Sequence, residues 1–415
     1  MDDVYDVLVI GGGPAGMMAA ARAGELGARV LLLEKNAGLG KKLLITGGGR
    51  CNILHAEFDT HALVAKYGKK GKTLYSTFSK LDAQATWDYF ESRGLPLKIE
   101  AEKRAFPQSD NAEDVRTVLA KAMAAGNVTV KTGVTVTDLD VEDGLIIKVV
   151  HDTGFLEAKN YILATGGKSR PETGSTGDGF LWMKRLGHAV TEPEAALVPL
   201  LIRNPWIKDV VGISLVGVKL TVWQGKKKHD ANTGKILFTH TGLSGPLVLN
   251  MSKNIGELLK KGDVTLSLDL FPTLDPGTLD LKIMSVFEAG KNKRIKNNIG
   301  DLVQPRLGHV LLALAGIDPE TPLYRLKKED RLAFGVLLKD VPMSVSGLMG
   351  ADKAIVTGGG VSLSEVEFKT MRSKKIRNLF LAGDILDFDR PSGGFSLQIC
   401  WTTGFVAGTH AANDI

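Results

Sequence analysis

The sequence predicts an α/β chain in which a parallel sheet, covered on both faces, is interrupted by a β-rich and then helical insertion. Three observations predict it. Val7-Leu8-Val9-Ile10 is wholly apolar and breaks at Gly11-Gly12-Gly13-Pro14-Ala15-Gly16 into a run of small residues, as a doubly covered strand does when it turns straight into a helix. Between about residues 194 and 270, short segments alternate apolar and polar residues, the pattern of strands with one solvated face. Near the C-terminus, Leu379-Phe380-Leu381-Ala382-Gly383-Asp384 returns to the buried strand followed by glycine.

The first element is a nucleotide clamp. Gly11, Gly13 and Gly16 hold the G-x-G-x-x-G spacing directly after the strand. Gly11 permits the turn, Gly13 lets a pyrophosphate approach bare backbone, and Gly16 lets the helix pack close, with its amide-rich N-terminus toward the phosphates. The helix is expected over 15–26 with Gly27 ending it. Val30 to Leu33 then forms a second strand ending at Glu34, about 20 residues beyond the glycines, where a carboxylate accepts hydrogen bonds from ribose hydroxyls.

A second glycine loop, Thr46-Gly47-Gly48-Gly49-Arg50-Cys51-Asn52, follows closely. Its backbone amides, with Lys42 and Arg50, suit the same phosphate-bearing ligand. Cys51 is a candidate proton donor, weighed against the small packed residue that an unassisted cysteine usually is. Residues 56–108 read as polar and helical around Trp87, Tyr89 and Phe90, with 104–109 a loop leading into the next helix. Ser109 or Asp110 is expected to cap a helix over 112–125. Residues 128–134 alternate as a strand, with Val134 placed to hold an adenine edge. Leu145 to His151 is expected to form an antiparallel ribbon with Tyr161 to Ala164, and Tyr161 to Gly167 also reads as a buried strand closing a crevice beside the first.

After Gly174-Ser175-Thr176-Gly177-Asp178-Gly179 and a helix through Gly187, the character changes. Strands are expected over 217–224, 235–238 and 264–270. His240, in Thr239-His240-Thr241-Gly242, is a candidate acid or substrate ligand, although a lone histidine in a turn is more often structural. Residues 272–339 read as helical. The strand and glycines of Ala354 to Val361 lack the second G-x-G-x-x-G and acid of a separate nicotinamide domain. By contrast, Gly383-Asp384 suits a carboxylate that bonds the ribityl chain of FAD. The final helix, entered through Arg390 to Gln398, directs its N-terminal amides at charge developing on the flavin.

The chain has 415 residues, enough for two domains or one with a large insertion. The domains expected are 1–193 and 346–415 for the cofactor, 194–271 for a β-rich substrate insertion and 272–345 for its helical part. Its 44% hydrophobic and 24% charged fractions are those of a globular protein. No apolar run approaches the length of a membrane span or a signal peptide, so a cytoplasmic protein without membrane partners is expected. Cys51 and Cys400 form no C-x-x-C pair and no zinc spacing, so neither a disulfide framework nor a metal site is expected. The formal charge of +6 favours anionic partners. Basic clusters at 69–72, 226–229, 291–296 and 372–377 could follow a phosphate backbone, though each alone reads as a solvated face.

Taken in order, the Gly11 to Glu34 fingerprint, Thr46 to Asn52, Ala164-Thr165-Gly166-Gly167, Gly174 to Gly179, Thr239 to Pro246 and Gly383 to Gly404 resemble the BaiN/RdsA family of FAD-dependent oxidoreductases over nearly the whole chain. The resemblance implies a glutathione-reductase-like FAD-binding Rossmann domain made from both chain ends, with the β-rich domain and a small helical subdomain inserted. By position it implies FAD contacts from Gly11, Gly13, Ala15, Gly16, Glu34, Lys35, Lys42, Thr46, Gly47, Gly48, Arg50, Asn52, Val134, Ala164, Thr165, Gly166, Gly383, Asp384, Gly394, Phe395, Leu397 and Gln398. Asp384 stands where Glu is common in the family, and Phe395-Ser396 where Tyr-Asn is common. Family members act on bile-acid enones, aminoacetone or ribosomal RNA uridines. The implied chemistry is hydride transfer to an electron-poor C=C, with NAD(P)H as transient reductant and Cys51 or His240 as acid. Uridine in ribosomal RNA is the favoured substrate; the rivals are a small-molecule enone reductase or amine oxidase, and a non-catalytic FAD-containing binding protein. The oligomeric state is left open.

Overall fold

The computed structural model describes residues 5–350 and 356–414. The chain divides into two compact units, residues 1–196 with 351–415, and residues 197–350.

The first unit begins with β1 (Tyr5–Ile10), α1 (Pro14–Glu25) and β2 (Val30–Glu34). It continues through β3 (Leu54–His55), α2 (Thr60–Lys66), α3 (Tyr75–Phe78), α4 (Ala83–Glu91), β4 (Leu97–Glu100), β5 (Arg104–Pro107) and α5 (Ala112–Ala125). Next come β6 (Thr129–Thr132), β7 (Val136–Glu142), β8 (Leu145–His151), β9 (Gly154–Leu156), β10 (Ala158–Leu163), α6 (Asp178–Arg185) and β11 (Val190–Ala196).

In the second unit, β12 (Leu200–Ile202), β13 (Ser214–Gln224), β14 (Lys227–Thr239) and β15 (Gly242–Ser244) precede α7 (Pro246–Leu259) and β16 (Thr265–Asp269). Helices α8 (Pro276–Ala289), α9 (Pro305–Leu314) and α10 (Lys328–Lys339) lead to β17 (Val341–Leu348). The first unit is then completed by β18 (Val356–Val361), β19 (Val366–Glu367), β20 (Arg372–Ser373), β21 (Leu379–Leu381) and α11 (Phe395–Asn413). Ala354 and Ile355, expected to begin β18, lie outside the described residues.

The main sheet of the first unit runs β19-β20-β21-β10-β1-β2-β6. Strands β21, β10, β1, β2 and β6 are mutually parallel, with Ile10 beside Leu33 on one side and Leu163 on the other. Val7 to Ile10 and Leu31 to Leu33 are buried, as strands covered on both faces must be. Helix α11 lies against α1 at close range: a Cβ at Gly404 or Gly408 would fall 2.4 or 2.3 Å from the Ala15 or Ala19 carbonyl oxygen. Small residues at these positions bring the two ends of the chain together.

Three local expectations are corrected. Leu145 to His151 pairs with β7 and β9, not with residues 161–164. Tyr161 to Leu163 are buried throughout and join the parallel sheet, whereas β8 alternates and suits a ribbon with one solvated face. Residues 97–107 are a β4–β5 hairpin rather than helix followed by loop, turning through Glu102 and Lys103 at φ 60° and 54°. Asn111, not Ser109 or Asp110, caps α5, its side chain accepting from the Glu113 N–H at 3.0 Å. Asp110 is itself at φ 56°, its carboxylate held by Lys98 at 2.6 Å and by Arg50.

The second unit is a closed barrel, β12-β15-β14-β13-β16-β17. Val218, Leu220 and Val222 of β13 and Val341, Met343 and Val345 of β17 are buried in its core. The helices 276–339 are thus spliced between two barrel strands, and β17, which closes the barrel, follows directly on the stretch read as helical, where no strand was expected. Among the described residues, no helix is long and apolar enough to cross a membrane.

Candidate functional site

The first unit contains a cleft whose empty space, open solvent at its mouth included, is about 1170 Å³. One wall is the β1–α1 turn from Ile10 to Ala15, with Leu33 to Asn36 beside it. It extends past Lys42, Thr46, Val134 and Ala164 to Gly166, then to Asp384, Ser396, Leu397 and Cys400 at the start of α11.

The turn is built as its spacing requires. A Cβ on Gly16 would fall 1.8 Å from the Gly11 carbonyl oxygen, so only glycine allows this helix-to-turn contact. A Cβ on Gly13 would meet nothing within 4 Å, because that residue faces the open cleft. Gly13 is also the N-cap of α1 and offers no side-chain acceptor, so the first-turn amides remain available to an anion. Glu34 is 8% exposed and held as an acceptor, by the Gly12 N–H at 2.7 Å, the Asn36 N–H at 2.7 Å and the Asn36 side-chain amide at 2.6 Å. A carboxylate has about four acceptor directions, so a further hydroxyl still fits the same group. Thr165 adds a buried hydroxyl without a partner on the cleft wall.

A charged cluster occupies the other end. Arg390, whose side chain is 0% exposed, donates to Asp384 Oδ1 at 2.7 Å and to the Thr357 carbonyl at 2.9 Å. Lys42 Nζ lies 3.7 Å from Asp384 Oδ2 and donates to Ser169 Oγ at 2.7 Å. Ser396 Oγ donates to Asp384 Oδ1 at 3.1 Å. Burial alone would raise the Asp384 pKa, but Arg390 and then Lys42 outweigh it and hold the carboxyl below its ordinary range. Burial pulls Lys42 down, opposed by Asp384. The cluster therefore carries two basic groups for one carboxylate at the edge of a cleft.

The structure gathers Gly11, Gly13, Ala15, Glu34, Lys35, Lys42, Thr46, Val134, Ala164, Thr165, Gly166, Asp384 and Leu397 around this cleft. Gly16 and Gly383 shape it from behind: a Cβ on Gly383 would fall 2.7 Å from Ala15 Cβ. Lys35 is tied to Asp178 at 2.8 Å and Thr176 at 2.5 Å. Gly47, Gly48, Arg50, Asn52, Gly394, Phe395 and Gln398 are not part of the lining. Arg50 instead pairs with Glu100 and Asp110 and lies over the Phe106 ring. The Asn52 amide supports the α11 start, accepting from the Gly394 N–H at 3.1 Å. Phe395 stacks on His55 at 4.4 Å, and Gln398 donates to Thr86 and Thr402 in the core.

Neither proposed acid lines the cleft. Cys51 is wholly buried, and burial pushes its thiol up to about 12, far from the working range of a general acid near neutral pH. Cys51→Ala is therefore expected to keep steady-state turnover within about twofold, against the loss of about 100- to 10,000-fold that removal of a general acid brings. His240 is exposed in the turn between β14 and β15 of the barrel unit. Cys400, passed over in the motif reading, does face the cleft, its Sγ 4.0 Å from Asp384 Oδ1, and burial followed by Asp384 raises its thiol pKa. Arg390 was also missed as a site residue. Its signal was a basic residue between the apolar Gly-Asp strand and the glycines of the last helix.

The HI0933-like protein Rossmann domain matches residues 5–410. A 3-dehydro-bile acid delta(4,6)-reductase of Clostridium scindens is 28% identical over 97% of this chain and 98% of its own. Ribosomal RNA dihydrouridine synthases of Escherichia coli and Haemophilus influenzae are 28% and 25% identical, over 97% and 98% of this chain and 96% and 98% of theirs. The 3-ketosteroid-delta4-(5alpha)-dehydrogenase structure from Rhodococcus jostii aligns over 99% of this chain and 97% of that one, with TM-score 0.55 and 17% identity. That last likeness concerns the fold. The glycine turn, the acidic end of β2, the closing carboxylate before α11 and the match across nearly all of the chain lead to one conclusion: this protein belongs to the HI0933-like family of Rossmann-fold, FAD-dependent oxidoreductases.

Proposed function

We propose that this protein saturates an electron-poor C=C conjugated to a carbonyl, and that its substrate is uridine in ribosomal RNA. FAD, when bound, supplies the two-electron hydride chemistry. The chain's own residues do the rest. The uncapped N-terminus of α1 and the bare Gly13 backbone would receive the pyrophosphate, Glu34 would accept from a ribose hydroxyl, and Asp384, held by Arg390 and Lys42, would accept from the polyol chain. NAD(P)H is the proposed reductant, docking transiently.

The observation that supports RNA over a small enone is the distribution of charge. Residues 197–350 hold 21 Lys and Arg against 14 Asp and Glu, while the rest of the chain holds 31 against 32. All of the net positive charge sits on the barrel unit, as a polyanionic substrate favours. The test is mass spectrometry of ribosomal RNA nucleosides from a deletion strain. One dihydrouridine should vanish and return on complementation; an unchanged profile sinks the RNA reading. The Clostridium scindens relative supports a second reading, enone reduction in a small molecule. NAD(P)H-dependent turnover of a steroid enone by the pure protein, with that nucleoside profile unchanged, would favour it.

A further inference from the structure

The barrel brings together two basic segments that are well separated in sequence. Strands β13 and β14 form a long hairpin whose tip is Gln224-Gly225-Lys226-Lys227, with Gln224 opposite Lys227 and Trp223 opposite Lys228. Gln224 Nε2 donates to the Leu258 carbonyl at 3.0 Å, and a Cβ on Gly262 would fall 3.5 Å from the same nitrogen. That fastening sets the tip against the end of α7, where Lys260 and Lys261 lie.

Lys226, Lys227, Lys228 and Lys261 are exposed and make no ion pair among the described residues. The nearby acids are already engaged. Glu257 pairs with Lys260 at 2.8 Å, Asp263 reaches Arg203 at 3.5 Å, and Asp230 accepts from Asn232 at 2.8 Å. Trp223 is half-buried between Lys228 and Thr265 on the outer side of the barrel, since its neighbour Val222 points into the core. Unpaired lysines beside a partly exposed indole combine phosphate attraction with a stacking surface for an unpaired base.

Resting on the RNA reading above, we infer that the β13–β14 tip and the end of α7 form a contact for single-stranded RNA, with Lys226 to Lys228 on phosphates and Trp223 against a base. Neutralised phosphates release counterions, so each lysine engaged steepens the salt dependence of binding. The experiment measures anisotropy of a fluorescein-labelled oligouridine with the FAD-loaded protein between about 50 and about 200 mM salt.

The triple variant K226Q/K227Q/K228Q should bind about ten- to hundredfold more weakly at the lower salt, with a log–log slope shallower by about two units. Trp223→Leu should weaken oligouridine binding about fivefold or more, and Trp223→Phe should restore most of it. K327Q/K328Q, at the start of α10, should leave the slope unchanged. Flavin content and melting temperature of each variant confirm that it is folded. Salt-dependent binding by the wild type that the triple variant retains in full would overturn the contact while leaving the RNA reading in place. No oligouridine or ribosomal RNA binding by the wild type would overturn both. Equal loss for oligouridine and polyglutamate, with no effect of Trp223→Leu, would reassign the patch to acidic polymers in general and overturn the RNA contact.

Discussion

Arg390→Met should yield a protein that purifies nearly colourless, its affinity for FAD lowered about a hundred- to a thousandfold. Arg390 does not line the cleft; it acts through Asp384. Removing one partner of a buried ion pair costs about 3–5 kcal/mol, because the other charge is left without compensation. Asp384 would retain Lys42, at 3.7 Å, the Ser396 hydroxyl and the weak Cys400 thiol contact at 4.0 Å. The pH dependence carries a definite sign. The Asp384 pKa is depressed in the fold, so its contribution to stability is present above the ordinary carboxylate range and is lost as pH falls through the depressed value. Without Arg390 that pKa rises, and the acid limb of the melting curve moves to higher pH. Arg390→Lys keeps the charge but not the two-pronged geometry, and should fall between. Flavin-to-protein absorbance ratios and melting temperature against pH check both points. A yellow Arg390→Met protein with an unmoved acid limb would refute this account of the cluster.

Gly13→Ala and Gly16→Ala should separate cofactor binding from folding. At Gly13 a methyl group meets no protein atom within 4 Å, and φ of −79° suits any residue. The apoprotein should therefore melt close to wild type, while the methyl occupies the approach of the pyrophosphate and FAD affinity falls about a hundredfold, near 2.7 kcal/mol. At Gly16 the same methyl lands 1.8 Å from the Gly11 carbonyl oxygen and 3.4 Å from Ala164 Cβ. Backbone must move, and overpacking of this kind costs about 1–3 kcal/mol or more. Gly16→Ala should lose stability and flavin together. Titration of apoprotein with FAD, beside a thermal melt, distinguishes the two; a Gly13→Ala protein with wild-type affinity would mean that the turn does not receive the pyrophosphate.

Legibility differed by element for physical reasons. The β1–α1–β2 unit was readable because its constraints are local: a buried strand, a turn that admits no Cβ at Gly11 or Gly16 and an acidic strand end lie within thirty-odd consecutive residues. Strand β7, Val136–Glu142, was not readable, since its acidic and threonine residues suit the solvated side of a ribbon that its partner β8 alone made plausible. Strand β17 went unread after the helical stretch because its pairing partners, β12 and β16, are more than seventy residues upstream. The α5 cap was misplaced by one residue because Asp110 is drawn off by Arg50 and Lys98, which come from other segments.

By itself the sequence determined the nucleotide-binding turn, the buried strands of the parallel sheet and the β-rich insertion, because glycine spacing and apolar periodicity act over a few neighbouring residues; that both chain ends build one sheet followed from the family resemblance. Only the tertiary structure decided which reactive groups reach the cleft. Cys51 and Arg50 stand within a glycine loop yet lie outside the cleft lining, while Cys400 comes to its edge and Arg390 holds Asp384 there from behind. Burial and charge pairing are set by segments hundreds of residues apart packing together, as α11 does on α1, and no local pattern along the chain encodes which side chains that packing leaves facing the ligand.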